Sequence, residues 1–259
     1  MQQQDVPKTN HVIPAPFIEA FYPESRFGGF TDIDGTIAFF ARVNALIKAD
    51  DVVLEVGCGR GAHQEDPIEI RKQLRIFKGR VRRVIGIDVD PGASENPYLD
   101  EFKPITNSSW PIESNSIDCI VSDCVLEHVD EPNVFFSEAR RVLRDGGYLC
   151  IRTTNVWSYV ALASWLIPNR LHSRILRVVQ DDRKEQDVFP VRYRCNSIRK
   201  INSALRKSGF VGLAYGTEAE PSYLSFSRLA FYLGVLHQRF APRLIKPAIF
   251  AFGRLANRI

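Results

Sequence analysis

A short apolar run, Val52-Val53-Leu54-Glu55-Val56, passes without a spacer into Gly57-Cys58-Gly59-Arg60-Gly61. Bounded by Asp51 and Gly57, the run reads as a buried strand. Glycines at its end let the backbone turn sharply and approach a ligand that a Cβ would push away. A helix after such a turn presents free N–H groups. A second strand, Val84-Ile85-Gly86-Ile87-Asp88, ends in a carboxylate, with Asp90 close by. A carboxylate there can accept both hydroxyl protons of a ribose, so the expected ligand is a nucleoside. Gly57, Gly59 and Ala62 also satisfy the dinucleotide spacing G-x-G-x-x-G/A, in which Asp88 would serve NAD. A third alternative is a tight turn that binds nothing.

Strand-like and helix-like runs alternate along the rest of the chain, which favours an α/β protein with a mostly parallel sheet. Ile37, Phe40, Val43 and Ile47 predict a first helix over Thr36–Lys48. Ile70, Leu74 and Phe77 predict another from about Pro67. Further strands are expected at Ile117–Ser122 and Tyr148–Ile151. Between them lies a helix marked by Phe135, Ala139, Val142 and Leu143, which stops at Gly146-Gly147. Residues 156–195, with Trp157, Tyr159 and Trp165, read as an inserted helical lid. A helix capped by Asn196 and ended by Gly209 follows, with Ile198, Ile201 and Leu205 inward. Phe210–Tyr215 and Tyr223–Phe226 read as late strands. The tail reads as two amphipathic helices broken at Pro242, with stripes Leu229, Leu233, Leu236, Phe240 and Ile245, Ile249, Phe252, Ala256. The expected division is a domain over 1–227, with core 35–155 and 196–227, and a basic helical tail over 228–259.

The chain has 259 residues, 45% of them hydrophobic, enough for one substantial core. This composition excludes a disordered, collagen-like or multi-span membrane protein. Net charge is +4, but residues 221–259 carry six Lys/Arg and no acid. The rest is slightly acidic, which argues against a nucleic-acid acceptor. The five cysteines are scattered without CxxC or zinc spacing and read as reduced thiols of a cytosolic protein. The N-terminal residues lack a basic start followed by an apolar run, so no signal peptide is expected. No apolar stretch has bilayer-spanning length.

Several motifs follow the first glycine loop in order. They are Pro111-Ile112-Glu113-Ser114-Asn115-Ser116-Ile117-Asp118, then Val125-Leu126-Glu127-His128-Val129, then Glu138-Ala139-Arg140-Arg141-Val142-Leu143-Arg144-Asp145-Gly146-Gly147. With Val53–Gly61 they closely resemble the class I S-adenosylmethionine-dependent methyltransferases, especially the type 11 domain, over about residues 50–155. The resemblance implies a Rossmann-like seven-stranded sheet with helices on both faces and S-adenosyl-L-methionine as cofactor. It implies that Glu55, Gly57, Cys58, Gly59 and Gly61 surround the methionine half, and that Asp88 holds the ribose with Val89 beside it. Asn107 and Ser108 fall where the family contacts adenine, often with Asp-Ala. Asp123 and Cys124 border the sulfonium. Ala62–Pro67 is a longer loop than usual for the family.

The implied reaction is methyl transfer to a small-molecule, saccharide or lipid acceptor, with a hydroxyl oxygen as the expected nucleophile. His128 is then the candidate base, because imidazole titrates near working pH. Relatives with a divalent ion carry a Glu where Cys124 stands here, so no metal is expected. Arg26 is a candidate for an anionic acceptor or the cofactor carboxylate, and Arg152–Asn155 face the acceptor side. Glu95-Asn96-Pro97-Tyr98 reads as a turn. The segment Phe189–Phe210 resembles methyltransferases of bacterial surface glycan or lipid pathways. The basic tail fits contact with an anionic membrane, a homodimer interface or ordinary packing. A cytoplasmic location, peripheral on the inner membrane face, is the matching expectation.

Overall fold

In the computed structural model, the described residues are 16–161 and 190–257. The strands in chain order are β1 (Val52–Val56), β2 (Arg83–Asp88), β3 (Glu101–Pro104), β4 (Ile117–Asp123), β5 (Leu143–Thr154), β6 (Phe210–Thr217) and β7 (Ala248–Leu255). The described helices are α1 (Pro16–Phe21), α2 (Gly35–Leu46), α3 (Glu69–Arg75), α4 (Pro132–Val142), α5 (Ile198–Lys207) and α6 (Arg228–Phe240). They are joined by short 3-10 turns. The seven strands form one sheet in the order β3-β2-β1-β4-β5-β7-β6. Neighbouring strands pair in parallel from β3 across to β5, and β7 runs antiparallel to both its neighbours. This is the expected Rossmann-like, mostly parallel sheet.

Alternation along the strands divides the core into two layers. Val53, Val84, Cys119, Val121, Cys150 and Phe250 meet Phe39, Phe40 and Val43 of α2 on one face. Leu54, Ile85, Ile87, Ile120, Leu149 and Ile151 meet Phe135, Ala139 and Val142 of α4 and Ile201 and Leu205 of α5 on the other. Side chains of this size contribute about 1.5–3 kcal/mol each when fully buried. Asp34 caps α2 by accepting the Ile37 N–H at 2.8 Å. Ser197, rather than the expected Asn196, caps α5 by accepting from Lys200 N.

The tail departs from its sequence pattern. The second expected tail helix is strand β7, inserted between β5 and β6. Tyr148 stands opposite Arg254, and Phe210 opposite Leu255. A strand covered on both faces is apolar at nearly every position, so it also satisfies helical spacing. Ile249 and Leu255 join one core layer and Phe250 and Phe252 the other. The boundary at residue 228 is therefore corrected, because the chain's last strand completes the sheet. The expected strand Tyr223–Phe226 is instead a turn with a 3-10 segment at Ser222–Leu224. The strand β3 lay outside the sequence reading. Most of the expected lid, including Trp165, lies outside the described residues.

Candidate cofactor crevice

From β1 the chain winds outward through β2 to β3, then returns to the other side of β1 as β4. The loops leaving β1 and β4 consequently diverge and open a crevice at the carboxyl edge of the sheet. Gly57 N–H donates to Ile87 O at 2.8 Å, which bends the loop onto β2. Gly57 and Gly59 both have positive φ, at 68° and 54°, but for different reasons. A Cβ on Gly57 would stand 2.3 Å from Val125 Cγ2, whereas one on Gly59 would meet nothing within 4 Å. Gly57 is thus required by packing, and Gly59 leaves open space. Asn96, on the segment read from sequence as a plain turn, staples this loop. Its Nδ2 donates to the carbonyls of Cys58 and Gly59, each at 3.1 Å.

Asp88 ends β2 beside that space. One carboxylate oxygen accepts Gly59 N–H and the other Asp90 N–H, both at 2.9 Å. Each oxygen retains acceptor capacity for a ligand hydroxyl. Next to it Val89 is 60% exposed. Arg60 donates through Nε and Nη2 to Asp90 and closes the loop from outside.

The crevice floor is a cavity of about 70 Å³ whose lining includes Phe40, Glu55, Cys58, His63, Arg75 and Asp123. Burial pushes the Glu55 carboxyl up to about 8; Arg75 opposes the rise and Asp123 adds to it. His63 moves the opposite way, down to about 4, through burial and then the nearby Arg75 charge. Its Nε2 is buried with no hydrogen-bond partner among the described residues, and its ring packs on Tyr98 at 4.6 Å. Asp123 forms a two-pronged pair with Arg152, at 2.5 and 2.6 Å, and lies 3.6 Å from Arg75. Burial would raise the Asp123 carboxyl, but the Arg152 guanidinium overrides it and holds the group below the usual range. Arg152 also donates to Thr36 Oγ1 at 2.9 Å. A larger cavity of about 410 Å³ lies at the opposite, amino edge of the sheet among Arg82, Arg83, Lys103 and Arg144. It is remote from the glycine loop.

The loop after β4 carries the remaining candidates. Cys124 is exposed, has φ 58°, and donates its N–H to Arg152 O at 2.8 Å. Buried Glu127 accepts from Thr153 Oγ1 at 2.7 Å and Thr154 Oγ1 at 3.2 Å. Its carbonyl accepts the N–H groups of Arg192 and Tyr193, so Glu127 ties the returning chain to the sheet. His128 Nδ1 lies 3.0 Å from Pro190 O, and because a carbonyl only accepts, the proton belongs on Nδ1 and Nε2 is the basic nitrogen. Asn107 and Ser108 sit on the exposed loop beyond β3, where Asn107 Oδ1 accepts Ser109 N–H at 2.9 Å. Arg26 is two-thirds exposed and pairs with Glu19 at 2.9 Å rather than lining the cavity. Trp157 is exposed, and Tyr159 packs edge-on against His237. Among the described residues no group of three His, Cys, Asp or Glu side chains is arranged to hold a metal.

Residues 54–151 match the family model of the methyltransferase domain. These residues form a class I S-adenosylmethionine-dependent methyltransferase domain. The match favours the S-adenosyl-L-methionine reading of the glycine loop over the dinucleotide one. A Mycolicibacterium smegmatis protein named "probable S-adenosylmethionine-dependent methyltransferase" is 32% identical over 40% of this chain and 38% of its own length. A Streptomyces fradiae protein encoded in a transposon is 56% identical over 39% of this chain and 30% of its own length. The chain thus spans well under half the length of these two relatives. An uncharacterised Methanocaldococcus jannaschii protein is 25% identical over 74% of this chain and 78% of its length. Among solved structures, a SAM-dependent methyltransferase of Thermotoga maritima superposes with TM-score 0.51 at 15% identity, covering 92% of this chain and 95% of its own. A chain of the Haloferax volcanii complex between the Trm112 activator and a methyltransferase does so with TM-score 0.52 at 17% identity, over 85% and 90%. At these identities the superpositions speak for the methyltransferase fold alone.

His63 and Arg75 line the crevice floor and Arg152 braces its Asp123, yet the glycine motif does not announce His63 or Arg75. Their only sequence signals were the long loop Ala62–Pro67 and a basic residue at the end of a short helix.

Proposed function

We propose that the protein transfers the methyl group of S-adenosyl-L-methionine to a hydroxyl oxygen of a small-molecule, saccharide or lipid acceptor. The observation that carries this reading is the open space at Gly59 beside the Asp88 carboxylate, continuous in sequence with the charged floor at Glu55. In it Asp88 takes the ribose hydroxyls, Val89 covers one side of the base, and Asn107 and Ser108 meet the adenine edge. Gly57, Cys58, Gly59 and Gly61 line the methionine half. Arg75 supplies a cation for the cofactor carboxylate, and Glu55 an acceptor for its ammonium.

The bound cofactor supplies an electrophilic methyl group on a cationic sulfur. The protein therefore has to align the acceptor and exclude water, a contribution of about 7–11 kcal/mol in well-oriented systems. Asp123, held in place by Arg152, and Cys124 border the reacting carbon. His128 Nε2 takes the acceptor's hydroxyl proton, with Nδ1 anchored on Pro190 O. In the same reading the protein is cytoplasmic and two copies pair. Membrane contact falls to the basic helix α6 rather than to the whole of 228–259, whose last strand is buried in the sheet.

Replacing His128 by Ala is expected to lower turnover by about a hundredfold or more while leaving S-adenosylhomocysteine affinity unchanged. Normal turnover of that variant would overturn the base assignment. Incubation of cell extract with an isotopically labelled methyl donor identifies the acceptor; a protein that binds the donor and labels nothing would contradict the transferase reading.

A further inference from the structure

We propose that the outward face of α6 is a docking surface for an anionic lipid bilayer, placed on the same edge of the sheet as the cofactor crevice. The helix is apolar on two sides. Its inner side is already used: Phe231 and Val235 are buried, Phe231 packs on Phe21 and Tyr22, and Gly234 lies flush against Pro221 and Leu224. The outer side carries Leu229, Tyr232, Leu233, Leu236 and Phe240, the i, i+3, i+4, i+7, i+11 positions of a single stripe about 100° wide. Leu229, Tyr232, Leu233 and Phe240 are between 45% and 79% exposed. Tyr232, at the margin of the stripe, also packs on Phe21 at 6.0 Å, whereas Leu229, Leu233 and Phe240 are more than half exposed among the described residues.

Charge selects the occupant. Arg228 and Arg239 fall on one border of the stripe, and Arg243 follows the helix. No acid occurs anywhere from Pro221 to Ile259. Self-pairing of two stripes would bring these cations together with nothing on the segment to neutralise them. A bilayer with anionic headgroups takes the apolar side chains at the acyl boundary and the arginines among the phosphates. Among the described residues no helix is long and apolar enough to cross a membrane, so α6 would lie along the surface.

Two anchors set the orientation. His237 Nδ1 meets buried Glu218, just past the end of β6, at 2.8 Å. Asn155, just past the end of β5, donates Nδ2 to the carbonyls of Leu244 and Lys246 at 2.8 and 2.9 Å. Strands β5 and β6 both run antiparallel to β7 and hence point the same way. Their ends therefore share the edge that carries the Gly57 loop. That α6 presents an acceptor to the crevice rests on the methyltransferase reading; the docking itself does not.

The test is co-sedimentation of the full chain with phosphatidylcholine vesicles, either pure or containing about one third phosphatidylglycerol. The protein is expected to pellet with the anionic vesicles only, less so at high salt. Leu233→Asp and Phe240→Asp, both at exposed positions, are expected to weaken this by about tenfold or more. Calorimetric affinity for S-adenosylhomocysteine is expected to stay unchanged in both variants. No binding by the wild type, equal binding to both vesicles, or undiminished binding by the variants would overturn the docking surface. So would a dimer in sedimentation velocity that the variants dissociate. Absence of calorimetric binding would instead sink the cofactor reading while vesicle binding stood.

Discussion

The crevice between β1, β2 and β4 and the C-terminal side of the sheet, where β5, β7 and β6 meet, are built on opposite principles. In the crevice, local backbone demands fix residue identity: Gly57 cannot carry a Cβ beside Val125, and Asp88 must accept the Gly59 N–H. On the far side a strand from the end of the chain inserts between β5 and β6, and nothing local requires it. One region is written in short motifs and the other in pairings over more than a hundred residues, such as Tyr148 with Arg254. Chemistry and architecture are thus divided, and they should fail differently when perturbed.

The most severe break is removal of residues 248–259. If β7 completes the sheet, this truncation is expected to abolish cooperative unfolding in urea, because it strips both β5 and β6 of a partner. A dispensable tail would leave the unfolding midpoint unchanged. Next is Gly57→Ala, where positive φ and the Val125 contact together should cost about 3 kcal/mol or more of stability in urea titrations. Gly59→Ala sharpens the contrast. Its open surroundings should limit the stability loss to about 1–2 kcal/mol, while S-adenosylhomocysteine affinity falls by about tenfold or more. Asp88→Asn, which removes the charge but keeps the shape, is expected to lower the same affinity by about ten- to a hundredfold.

A pH-dependent test concerns Glu55. Its folded carboxyl titrates near 8, above the ordinary 4.5, so the native state binds this proton more tightly than the unfolded chain does. The Glu55 contribution to stability is therefore greatest below about 4.5 and declines as pH rises towards 8. Glu55→Gln should flatten that decline in urea midpoints measured across the window. A cationic ligand group favours the ionised carboxyl, so wild-type S-adenosylhomocysteine affinity should rise over the same window and the variant's should not.

The difference between the regions also explains what was legible in the sequence. The helix α2, the strands β1, β2 and β4, the middle of β5, and the glycine loop with Asp88 could be read directly, because their periodicity and turn chemistry are local. The helix α1 was missed, and β5 begins at Leu143, inside the stretch that reads as the end of a helix. The strand β7 was misread because residues buried on both faces imitate a helical stripe. The short β3, with only partly covered residues, left no pattern to read. In the crevice His63 and Arg75 were missed for a related reason. They reach the floor through the placement of α3 and the loop before it, a tertiary fact without a local signature. Asn96 was discounted as a turn residue, although its amide is what holds the Cys58 and Gly59 carbonyls.

Isothermal calorimetry of the full chain with S-adenosylhomocysteine, and separately with NAD, bears most directly on the crevice. Saturable binding of S-adenosylhomocysteine that is lost in Asp88→Ala, with no heat from NAD, is the expected result. Binding of NAD in its place, or S-adenosylhomocysteine binding indifferent to Asp88, would contradict it.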